Sequence, residues 1–71
     1  MNINKLKGKI IESGRTVGAV ATEIGINPAT LYRKLAHDGE TITIREAREL
    51  VRVLNISTEE ANEIFFTHKV A

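Results

Sequence analysis

Residues able to do chemistry are few in this chain, and most stand alone. His37 and His68 fall at the ends of different helical segments. Neither has a partner at ligand spacing, and no Cys/His cluster or His-x₃-His pair exists to hold a metal. Ser13 reads as a helix-end residue and Ser57 as a helix cap, not as nucleophiles. Glu59, Glu60 and Glu63 fall in the first turns of a helical segment, where carboxylates suit the dipole. Gly8, Gly14, Gly18 and Gly25 make no phosphate loop. The chain therefore reads as a non-enzyme, with no metal, cofactor or small-molecule substrate. What remains is a cationic run, "GINPATLYRKL" (residues 25–35), where Tyr32, Arg33 and Lys34 share the outward side of an amphipathic segment.

Positioning that run requires helices. Ile3, Leu6, Ile10 and Ile11 recur at helical spacing, and Ser13-Gly14 closes a first helix over about 3–13. Thr16 caps a second helix with the apolar stripe Val17, Val20, Ala21 and Ile24, ended by Gly25. Asn27-Pro28 is the strongest start signal: Asn accepts from free N–H groups, and Pro at the first position lacks an N–H that would go unused. The third helix runs from 28 to about 36. Asp38-Gly39 supplies turn chemistry in a loop near 37–42, and the alternating "TITI" allows a short extended segment there. Thr43 with Glu46 and Ser57 with Glu60 are capping boxes. They open a fourth helix carrying Ile44, Ala47, Leu50, Val51 and Leu54, and a fifth over about 58–67. Such agreement between caps and apolar pattern predicts an all-α fold.

Size and composition narrow the field. At 71 residues the chain is one small domain, of a kind that buries roughly 60% of its unfolded surface. It has no cysteine, in keeping with a cytoplasmic protein. No apolar run approaches the roughly 20 residues that span a bilayer, so no membrane association is expected. Net charge is only +1, but it is unevenly distributed. Residues 1–36 carry six cations against two carboxylates, a net of +4. Residues 37–71 carry four against seven, a net of −3. This division fits one anion-facing side, or equally two solvated surfaces.

Residues 16–35, "TVGAVATEIGINPATLYRKL", resemble the helix-turn-helix of the phage Cro/repressor (Xre-like) family. The matching residues are Ala21, Gly25 four later, the aliphatic Ile26, the polar cap Asn27 and the aliphatic Leu31. The five-helix layout extends the likeness over nearly the whole chain. Two positions depart from the pattern. Val17 stands where the family often has a glutamine that braces a phosphate. Lys34 stands where the family has a large apolar residue, which here falls one later, at Leu35.

The resemblance implies a compact five-helix, lambda-repressor-like bundle. It would be a single DNA-binding domain over residues 1–71, with the motif at 16–36. It implies a sequence-specific regulator of transcription that binds double-stranded operator DNA and reads the major groove with its third helix. Carried over, the base-facing positions are Pro28, Ala29 and Arg33, with Tyr32 beside them. Arg33 is the principal reader, since its planar fork fits guanine O6 and N7. Arg15, Thr16, Asn27, Thr30, Lys34, Thr43 and Arg45 become phosphate neighbours. Each has a plainer role too: Thr16 and Thr43 are caps, Arg45 suits an i,i+4 pair with Glu49, and Tyr32 suits packing against the fourth helix.

Ala61, Ile64 and Phe65 would complete the core. Phe66 with Val70 is left for a homodimer contact, as in relatives that occupy two half-sites about 34 Å apart. The resemblance also implies a bacterial host cytoplasm and, with no second domain here, a Cro-like or short repressor role. An excised N-terminal domain fits the same length. The rival function is a protein-binding module on the same scaffold, such as an antitoxin or a sequestering partner.

Overall fold

A computed structural model describes residues 1–66. Five helices follow one another: α1 (Ile3–Glu12), α2 (Val17–Ile24), α3 (Pro28–Ala36), α4 (Ile44–Leu54) and α5 (Thr58–Phe65). No strand occurs among the described residues. The protein is all-α, as its capping pattern predicts.

Each helix begins on a side chain that accepts a backbone N–H. Thr16 Oγ1 accepts from Ala19 at 3.0 Å, and Asn27 Oδ1 from Ala29 at 2.8 Å. Both capping boxes form, at Thr43/Glu46 and Ser57/Glu60. A fifth cap had no counterpart in the sequence reading: Asn2 Oδ1 accepts from the Lys5 N–H at 3.2 Å. The Asn2 N–H also donates to the Ile64 carbonyl at 2.7 Å, which pins the start of α1 to α5.

Helix ends are equally determined. Gly25 adopts φ +82°, and the Ile26 N–H then reaches back to the Ala21 carbonyl at 3.0 Å. That left-handed step carries a steric cost for any residue with a Cβ. Asn55 makes the same step after α4. The "TITI" segment does not extend. The Ile42 N–H closes a turn on the Gly39 carbonyl at 3.0 Å, and no second strand is present to reward an extended backbone.

Leu6, Ile10, Val20, Ala21, Ile24, Leu31, Leu35, Leu50, Leu54 and Ile64 form the centre of one core. α3 and α4 each pack on α2, while α1 packs on α5. The radius of gyration is 11.3 Å, close to the ~11 Å expected for a single compact domain of this length. Two apolar expectations need correction. Ile11 is 77% exposed and Ile44 80% exposed, so neither joins the core. In α4 the buried stripe is Glu46, Leu50 and Leu54, spaced four apart. Register therefore turns Ile44 outward and a carboxylate inward.

Candidate nucleic-acid interface

The sequence places two polar helix starts, Thr16 and Asn27, on either side of a short corner. The structure sets those starts side by side. A methyl group built on Gly18 would lie 3.9 Å from Pro28 Cβ and 3.9 Å from Thr16 Oγ1. Leu31 and Leu35 anchor α3 from beneath. Pro28, Ala29, Tyr32 and Arg33 are all exposed, and Thr30 is half-buried. Tyr32 is 55% exposed.

The charged candidates divide into three states. Arg33 is exposed and enters no ion pair among the described residues. Arg45 is likewise exposed and forms no ion pair among the described residues; Glu49 pairs with Arg52 at 3.0 Å, and the Arg45 charge adds to the lowering of the Glu49 carboxyl. Arg15 pairs with Glu23 at 2.8 Å on the surface. Exposed pairs of this kind contribute little, so exchanging Glu23 for another anion costs little. Lys34 is different. Its side chain is only 15% exposed, and Nζ donates to Glu46 Oε1 at 2.7 Å and to the Thr41 carbonyl at 3.0 Å.

Sequence reasoning names Glu46 as the capping-box partner of Thr43, but not as a buried partner of Lys34. Glu46 is the one buried charged residue among those described. Burial pushes its carboxyl upward, but the hydrogen bonds from Lys34 and from the Thr43 N–H outweigh that and hold it below the ordinary range. The signal available was its position four before Leu50 and eight before Leu54, on the stripe that becomes the core.

The uneven charge of the two halves is largely consumed by folding. Lys5 pairs with Glu63, and Lys9 with Glu60 at 2.9 Å and Glu12 at 3.5 Å. With Arg15 and Lys34 also paired, Lys7 and Arg33 are the cations of the first half left without an ion pair among the described residues. A single basic side is therefore not what the asymmetry builds.

The Lys9–Glu60 contact carries a testable pH dependence. The hydrogen bond from Lys9, then the Ser57 N–H, lowers the Glu60 carboxyl from 4.5 to about 2. A depressed carboxyl contributes stability that is fully present above its unfolded value. That contribution is lost as pH falls from about 4.5 to about 2. Acid unfolding followed by circular dichroism should show wild type losing stability across that window. Lys9→Met should be less stable at neutral pH and lose less on acidification. Equal acid losses in the two proteins would remove this pair from the account.

An apolar groove of about 360 Å³ is lined by Met1, Ile42, Ile44, Val51, Phe65 and Phe66, with Thr43 also at its wall. Met1, Ile44 and Phe66 are three of the five large hydrophobic residues exposed in the described chain. Phe66, the expected dimer residue, is 66% exposed. Val70, its expected companion, lies outside the described residues, as do His68 and Lys69. No three His, Cys, Asp or Glu side chains among the described residues are placed to share a metal ion. No helix among those residues is long and apolar enough to cross a membrane. In comparisons with family models, curated proteins and solved structures, nothing matches this chain.

Proposed function

We propose that this protein is a sequence-specific double-stranded DNA-binding regulator of transcription, of phage Cro/repressor type, that places α3 in an operator's major groove. The observation that carries the reading is Arg33: an exposed guanidinium with no ion-pair partner among the described residues, on a short helix seated firmly by Leu31 and Leu35. Beside it the capped starts of α2 and α3 present backbone N–H groups and positive dipole ends, which favour phosphate. Thr16, Asn27, Thr30, Thr43 and Arg45 would position the protein on the backbone. Pro28, Ala29 and Tyr32 would offer contact to base edges, including thymine methyl groups. The mechanism is occupancy of a site, with no covalent step.

The test is recovery of a duplex from a random-sequence pool, followed by affinity measurement across salt. A protein making Z phosphate contacts has a log–log slope near −0.9Z. Failure to recover any duplex at low salt defeats the proposal.

The groove bears on partners. Phe66, Met1 and Ile44 border one concavity, which supports a homodimer formed at least on DNA. Phe66→Ser is expected to abolish any concentration-dependent dimer seen in sedimentation and to weaken binding to a two-half-site duplex. A wild type that stays monomeric with and without DNA would refute the dimer. The same groove favours a second reading, a module that binds another protein, as an antitoxin or sequestering partner does. That reading predicts a protein complex whose affinity is nearly independent of salt.

A further inference from the structure

α3 and α4 both lean on α2 and make little contact with each other. The loop between them, residues 37–43, contains two left-handed positions, Asp38 and Gly39. One carboxylate oxygen spans that gap. Glu46 Oε1 accepts from Lys34 Nζ, on the last turn of α3, at 2.7 Å. It also accepts from the Thr43 N–H, at the cap of α4, at 2.9 Å. Lys34 Nζ adds a bond to the Thr41 carbonyl at 3.0 Å. The end of one helix, the loop and the start of the next are thus held at a single buried point.

We infer that Lys34 and Glu46 form a positioning pair that sets the base-facing helix α3 relative to the phosphate-facing start of α4. The inference rests on the DNA-binding reading above and assigns Lys34 a task other than phosphate contact. Arg33 and Arg45 must engage one duplex together, and they sit on the two helices this pair joins. A phosphate would have to draw Lys34 away from Glu46 and leave a carboxylate buried without its cation, which is costly. Both residues act through other groups, so neither needs to touch DNA.

The pair makes two signatures that a phosphate contact does not. Removing a phosphate-binding lysine lowers the salt slope by about 0.9, whereas removing a positioning lysine lowers affinity and leaves the slope alone. Removing a carboxylate near DNA ordinarily strengthens binding, whereas removing a positioning carboxylate weakens it.

The experiment uses the full chain and the duplex recovered by the wild type, from low to moderate salt, at a temperature where melting curves show every variant folded. Lys34→Met and Glu46→Gln are each expected to bind about tenfold more weakly, as loss of a charge-assisted hydrogen bond predicts. Both should keep the wild-type slope. The double variant should lose no more than either single variant, since two residues acting as one unit are not additive. A reduced slope in Lys34→Met, tighter binding by Glu46→Gln, or additive losses would each overturn the pair's role. So would a lowered melting temperature with unchanged affinity, which makes the pair structural only. A wild type that recovers no duplex defeats the DNA-binding reading itself, before any variant is made.

Discussion

Gly39→Val is expected to destabilise the protein by roughly 2–5 kcal/mol, from left-handed strain of about 1–2 kcal/mol and overpacking of about 1–3 kcal/mol. Gly39 has φ +73° and is buried. A Cβ there would collide with Met1 Sδ and approach Ile3 Cδ1 and Ile42 Cδ1, each to 3.2 Å. Met1 can swing aside, being the end of a flexible side chain. The two isoleucines have less room, because Ile3 is buried and Ile42 half-buried at the edge of the core. A β-branched residue makes both problems worse. Domains of this size have a total stability of roughly 4–11 kcal/mol, by a scale of about 0.05–0.15 kcal/mol per residue. The melting temperature should therefore drop by roughly 8–40 °C, taking about 4–8 °C per kcal/mol. Gly25→Val separates the two causes. Gly25 has φ +82° with nothing within 4 Å of a built Cβ, so it carries the strain without the crowding. Thermal unfolding of both variants checks the account, and an equal loss at the two sites would show that crowding at Gly39 contributes nothing.

Arg33→Ala should produce the largest change in DNA recognition. Its neighbours on the reading face have little to offer a base: Pro28 and Ala29 carry no hydrogen-bonding side chain. A bidentate arginine–guanine contact is worth roughly 1–3 kcal/mol of discrimination, or about 5- to 150-fold. Removing it should flatten preference at one G·C pair of the selected duplex while leaving other positions ordered as before. Arg45→Ala should behave oppositely, weakening all sequences alike and lowering the salt slope by about 0.9. Competition binding against single-base variants of the duplex distinguishes the two. An Arg33→Ala protein with unchanged base preference would remove Arg33 from readout, and specificity would then rest on apolar contacts and DNA shape.

Much of the fold was legible because its signals are local. Thr16, Asn27, Thr43 and Ser57 announce helix starts within four residues of the groups they cap, and Gly25 announces an end by the backbone it alone tolerates cheaply. The apolar stripes of α2 and α3 were likewise readable, since Val20, Ile24, Leu31 and Leu35 repeat on one face. What could not be read depends on distant partners. A glutamate such as Glu46 looks like surface until Lys34, twelve residues earlier, is brought against it. Ile11 and Ile44 look like core until helix register turns them outward. The candidate interface shows the same limit. Composition names Arg15, Arg33, Lys34 and Arg45 as cations, but only the folded chain sorts them into loosely paired, unpaired and half-buried.

The ties between α1 and α5 have a bearing on how the chain is made. Lys5 meets Glu63 and Lys9 meets Glu60 across 58 and 51 residues of sequence, and Asn2 bonds to Ile64. Between them, α2, α3 and α4 join by shorter connections. During synthesis α1 emerges before α5, the surface it docks on. α1 and α5 each bring fully buried residues, Leu6 and Ile64, to the one core. Completion of the domain is then a closing of head upon tail, a non-local step of the kind that slows folding.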